Sequence, residues 1–114
     1  MKGVFAGVLF LLFAGEAIGA SADELMAACK SVMSTPHNAS EAQKQGFCAG
    51  AVEGIGHVDP GTCPPMGSTL EQWIRVVIRY IDSRPARRQE DFYKLAQEAL
   101  RDAWPCPARR VPGI

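Results

Sequence analysis

The chain is poor in the residues that build metal and catalytic sites: it has only two histidines and four cysteines in 114 residues. No cysteine pair has the C-x-x-C spacing, and neither His37 nor His57 belongs to a paired-ligand pattern, which excludes a zinc site of the usual kinds. No charge of one sign dominates either, since 12 Lys and Arg face 12 Asp and Glu. A nucleic-acid binder would carry a basic excess with interleaved aromatics, and this composition does not. No Ser/His/Asp or Cys/His constellation is present, so nucleophilic catalysis has no carrier. Glu53 and His57 stand one helical turn apart, a spacing more typical of a surface contact than of an acid–base pair. The expectation is a non-enzyme without metal or cofactor. Sustained alternation of apolar and polar residues is also missing, which leaves no strand and an all-α class.

What is present begins at the N-terminus. Lys2, the apolar stretch Val4 to Ala14 and the small residues Ala20-Ser21-Ala22 match the three regions of a secretory signal, with cleavage expected after Ala22. The apolar run is about half of the roughly 20 residues that a membrane span needs. No cysteine lies near the cleavage region to take a lipid, so no membrane attachment is expected after cleavage. The expected organisation is therefore a signal peptide over 1–22, one domain over 23–106 and a flexible tail over 107–114. Removing the signal takes one Lys and one Glu and keeps the charge balanced.

Cys29, Cys48, Cys63 and Cys106 all fall in the exported part, and an even number in a short exported chain argues for a disulfide framework. Four helices are read from apolar spacing. The first covers about Asp23 to Met33, with Leu25, Met26 and Cys29 on one face. The second starts near Ser40, where Ser40 and Gln43 have the form of a capping box, and runs to about Val58 before Asp59-Pro60-Gly61. Its Gly46, Gly50 and Gly54 share one face and cost about 1 kcal/mol each against alanine. Close approach of another helix is the expected compensation, with Phe47, Ala51, Ile55 and Val58 facing the core. A phosphate-cradling loop would need its glycines at a strand-to-helix turn.

After the rigid connection Cys63-Pro64-Pro65-Met66-Gly67, Ser68 with Glu71 or Thr69 with Gln72 caps a third helix that runs to about Asp82. Leu70, Trp73, Ile74, Val77, Ile78 and Ile81 trace its buried stripe, while Arg75 and Arg79 fall on a more polar side. Arg84-Pro85 separates it from a last helix, in which Phe92, Leu95, Ala96, Ala99, Leu100 and Ala103 keep helical spacing until Pro105. Four cysteines allow three pairings. Two antiparallel hairpins would bring Cys29 level with Cys48 and return Cys106 to Cys63, so Cys29–Cys48 and Cys63–Cys106 are the expected bridges. The picture is a small four- to five-helix bundle stapled by two disulfides.

Two connections are candidates for contact with a protein partner. The first is Arg84 to Asp91, where Arg84, Arg87 and Arg88 are followed by Glu90 and Asp91. Arginine suits forked hydrogen bonds across an interface, although a mixed-charge segment of this kind also reads as a solvated face. The second is His57 to Gly67, which includes Asp59.

The order of these features resembles the Rap/Tai immunity proteins, periplasmic antitoxins against peptidoglycan amidase effectors of type VI secretion. The resemblance is carried by Cys29 in a first helix, Phe47-Cys48-Ala49-Gly50 with Gly54, Cys63-Pro64, Thr69 with Gln72, and Val76-Val77 with Tyr80. Pro85 and Ala99-Leu100 with Trp104-Pro105-Cys106 complete it. The chain departs from the family at Ala51, where an aromatic is common, and at Ser83-Arg84-Pro85. The resemblance implies a periplasmic, non-catalytic inhibitor that binds a cell-wall amidase, often as a homodimer, by inserting a loop or helix end into its cleft. Because the shared residues are structural, they assign no binding residue. A periplasmic helical chaperone or a carrier of lipid or another small ligand is the alternative.

Overall fold

The computed structural model describes residues 19–108. The apolar stretch of the expected signal and most of the expected tail lie outside the described residues. Four α-helices follow in order: α1 (Ala22–Lys30), α2 (Ala39–Val58), α3 (Leu70–Asp82) and α4 (Phe92–Ala103), with a 3-10 turn at Pro85–Arg87. The class is all-α, and among the described residues extended pairing is limited to the isolated bridges Ser21–Asp91 and Thr62–Pro105.

Each helix starts where a short polar side chain accepts an otherwise unpaired backbone N–H. Ser21 accepts from Glu24, Asn38 from Glu41, Thr69 from Gln72 and Asp91 from Lys94. Thr69 and Gln72 complete the reciprocal box expected of them, with bonds of 2.9 and 3.2 Å. At α2 the cap is Asn38 rather than Ser40. Helix α1 is shorter than expected and stops at Lys30, since the Ser31 hydroxyl and N–H both return to the last turn.

Helix α1 packs on α2 and α3 on α4, while α2 touches both members of the second pair. The core between them is formed by Leu25, Met26, Val52, Ile55, Trp73, Ile74, Val77, Ile81, Phe92, Leu95 and Leu100. Both expected disulfides are present. Cys29–Cys48 is sealed in the core and ties the first hairpin, whereas Cys63–Cys106 sits at the surface and ties the second. Each closes a long loop and contributes on the order of 2–4 kcal/mol. Gln45, a buried polar residue, donates to the Ser31 carbonyl at 2.8 Å and so holds the end of α1 against α2.

The face that α2 turns inward differs from the expected one. Gln45, Cys48, Val52 and Ile55 are buried, while Phe47 and Val58 are exposed. Accordingly Gly46, Gly50 and Gly54 point into open space, with nothing within 4 Å of an added β-carbon. The close approach is made instead by Gly56, where a β-carbon would lie 2.3 Å from the Trp73 ring. Alanine should therefore act in opposite directions along one helix. At Gly46, Gly50 or Gly54 it should stabilise the monomer by about 1 kcal/mol through helix propensity. At Gly56 it should destabilise by about 1–3 kcal/mol through overpacking. Chemical denaturation of the four variants measures this, and a stabilised Gly56→Ala would contradict the packing.

Candidate functional site

The connection between α2 and α3 is held rigid at three levels. At its start, Asp59 ends α2 and places its carboxylate among three donors. Arg101 gives two bonds of 2.8 and 2.7 Å, Gln97 one of 2.8 Å and Thr62 one of 2.7 Å. The side chain is 4% exposed, and these donors, Arg101 first, keep its pKa well below the usual carboxylate range. Gly61 leaves room for the guanidinium, since a β-carbon there would stand 2.9 Å from Arg101 Nε. At the middle, Cys63 N–H donates to the Trp104 carbonyl at 2.8 Å, Cys106 N–H to the Gly61 carbonyl at 3.3 Å, and the disulfide locks the same pair.

At the end of the connection, Pro65-Met66-Gly67-Ser68 forms a tight turn. Ser68 N–H donates to the Pro65 carbonyl at 3.0 Å and Gly67 has φ +86°. Glycine supplies that positive φ without steric cost, and the turn lifts Met66 to its apex, where the side chain is fully exposed. The buried Trp73 donates from Nε1 to Ser68 Oγ at 2.8 Å, and Ser68 Oγ donates to the Pro65 carbonyl at 2.6 Å, so the turn is anchored to the core. His57 meets the same indole edge-on, 5.1 Å between ring centres. Among the described residues no hydrogen bond or ion pair joins it to Glu53.

From Met66 a shallow cleft runs along α3, lined by Gln72, Arg75, Val76, Arg79 and Trp104. A second cleft shares Val76 and Arg79 and continues past Tyr80 to Arg84. One face thus connects the two segments singled out in the sequence. Arg75 pairs with Glu71 on the same helix, and Arg79 is exposed and takes part in none of the ion pairs among the described residues.

The Arg84–Asp91 segment has its charges turned inward to neighbours. Arg87 donates to Glu90 at 2.6 and 2.8 Å and to Glu98 at 2.7 and 3.1 Å. Arg88 donates to Asp82 at 2.9 Å, and Lys30 joins the same carboxylate. Arg84 lies 3.5 Å from the centre of the Tyr80 ring and donates to the Tyr80 carbonyl. Asp91 caps α4. Glu90, bonded by Arg87 and then Lys94, titrates far below its usual 4.5, at about 2. The sequence reading placed Met66 within the His57–Gly67 connection without singling it out, because only the position of the turn shows that its side chain is presented rather than packed. Among the described residues no group of three or more His, Cys, Asp or Glu side chains gathers as a metal site would need, and no helix is long and apolar enough to cross a membrane.

The family model described as Rap1a immunity proteins matches residues 21–106, almost the whole of the described fold. No curated protein and no solved structure matches the chain.

The carboxylate network predicts an acid-sensitive fold. Asp59, Asp82, Glu90 and Glu98 all have pKa values depressed by their donors, so their contribution is complete above the usual carboxylate range and is lost as pH falls through the native values. Urea midpoints should drop between about pH 4.5 and about pH 2, and Glu90→Gln should flatten that drop. Parallel profiles for the two proteins would show that the Arg87–Glu90 pair does not contribute.

Proposed function

The chain belongs to the family of Rap1a immunity proteins, and from that premise we propose that it protects a cell by binding and inhibiting a peptidoglycan amidase effector of type VI secretion in the periplasm. Two disulfides, one of them at the surface, support an oxidising compartment, and the signal-like N-terminus supports export into it. The inhibitor is non-catalytic, and its action is occlusion of the amidase cleft.

The observation that carries the contact surface is the Met66 turn. A binding loop gains affinity when its conformation is set before binding, because less ordering entropy is lost. This turn is fixed by a disulfide, two prolines and a hydrogen bond from a buried indole, yet it leaves one large flexible apolar side chain fully exposed. Methionine is well suited to fill an irregular pocket. Arg79, exposed and in none of the ion pairs among the described residues, extends the face toward the second connection at Arg84 and supplies forked donors for an acidic rim. His57, Asp59, Arg87, Arg88, Glu90 and Asp91 serve by holding the two connections in place. The exposed Gly46, Gly50 and Gly54 face, with Phe47 beside it, is where the second copy implied by the family resemblance would pack.

Purified oxidised protein should abolish peptidoglycan hydrolysis by its cognate amidase at stoichiometric concentration. Met66→Asp and Arg79→Glu should each weaken binding at least about tenfold, which is about 1.4 kcal/mol, with an unchanged melting temperature. Arg88→Ala should instead lower the melting temperature and spare binding. Unimpaired binding by both Met66→Asp and Arg79→Glu would place the contact on another face, and amidase activity untouched by the unmodified protein would refute the inhibitor reading.

A further inference from the structure

The segment at the start of the described chain is built into the fold from Ala20 onward. Phe92 N–H donates to the Ala20 carbonyl at 2.9 Å, Ala22 N–H to the Glu90 carbonyl at 2.9 Å and Asp23 N–H to the Arg88 carbonyl at 2.8 Å. Ser21 pairs with Asp91 as an isolated antiparallel bridge, and its hydroxyl caps α1. The Ala22 methyl is completely buried in the core cluster. These contacts tie the first turn of α1 to the first turn of α4 through the 88–92 segment.

A cut after Ala22 would remove all but the last of these bonds. It would delete the cap and the buried methyl, and put a positive α-ammonium at the positive end of the α1 dipole. Sequence alone permits that cut, because Ala20-Ser21-Ala22 has the small-x-small form that signal cleavage requires. Ala17-Ile18-Gly19 has the same form three residues earlier, and its cut leaves every contact above intact. The backbone at Gly19 also runs against the Asp91 side chain: a β-carbon there would lie 2.3 Å from Oδ1. A new ammonium on Ala20 would emerge beside that carboxylate, whereas cuts farther upstream leave the amine farther along the chain.

Resting on the export reading above, we propose that the processing site is the Gly19–Ala20 bond, so that the mature protein begins Ala20-Ser21-Ala22. The step is hydrolysis by the exporting cell's signal peptidase. Water adds across the bond, leaving a carboxylate on the released Gly19 and an amine on Ala20.

The full chain, expressed from Met1 in a Gram-negative host, is recovered from the periplasm and its first residues are read by N-terminal sequencing and intact mass. Ala20 at the N-terminus is the expected result. Asp23, Ile18 or any other processed terminus overturns this assignment while leaving export established. Unprocessed chain confined to the cytoplasm overturns it together with the export reading. Gly19→Leu in the same chain should block the cut and accumulate precursor, and undiminished processing of that variant would also count against the site.

Discussion

The contact between Trp73 and the bare backbone of Gly56 sets the geometry on which the candidate binding edge depends. An indole that close to a helix axis is possible only where no β-carbon intervenes, and it brings α3 tightly onto the last turn of α2. The consequence is felt outside the core. With the ring packed against Gly56 and its Nε1 donating to Ser68, the Pro65–Ser68 turn is tied to the core, and Met66 is presented from it. A buried aromatic commonly finds a partner for its polar atom. Here the partner is Ser68, at the end of the connection that presents Met66.

A chain of this size buries a limited core, and its stability is shared with covalent and polar ties at the ends of the bundle. At one end the Cys63–Cys106 bridge, the Thr62–Pro105 pairing and the Asp59–Arg101 bonds close α2, α3 and α4 together. At the other, the Ser21–Asp91 pairing and the Arg87–Glu90–Glu98 and Asp82–Arg88–Lys30 groups join α1, α3 and α4. Exposed ion pairs are individually weak, but several sharing partners gain in geometry what they lack in strength. Arg87 illustrates this, since one guanidinium satisfies two carboxylates and its planar fork costs little to order.

The helices, their class and the disulfide pairing were legible in the sequence because apolar spacing and capping residues are local signals and hairpin topology leaves few pairings. The Thr69–Gln72 box and the Phe92 to Ala103 stripe are the clearest instances. What was not legible depends on rotation of an element about its own axis. In α2 the apolar residues surround the helix, so Phe47 and Val58 look as core-like as Ile55 does, and no period singles out the inward face. The glycines of that helix were visible, but only the position of Trp73 distinguishes Gly56, which needs the space, from Gly46, Gly50 and Gly54, which do not. The arginines near Pro85 were visible too. Their acidic partners Asp82 and Glu98 lie on neighbouring helices, and no spacing rule connects them.

Those occupied arginines bear on how such a protein can recognise a partner protein. An interface built from charges already paired within the monomer must first break the internal pairs, and the cost offsets the new bonds. An apolar side chain held at the apex of a rigid turn loses no prior contact when it enters a pocket, and its burial is favourable in itself. Arg79, exposed and without an acidic partner among the described residues, lies along the same cleft and adds direction without that cost. The division that follows is between residues spent on holding the connections, such as Asp59, Arg87 and Arg88, and residues left unspent, such as Met66 and Arg79. A scaffold divided in this way can keep the first set and change the second, so that the exposed face can alter without refolding.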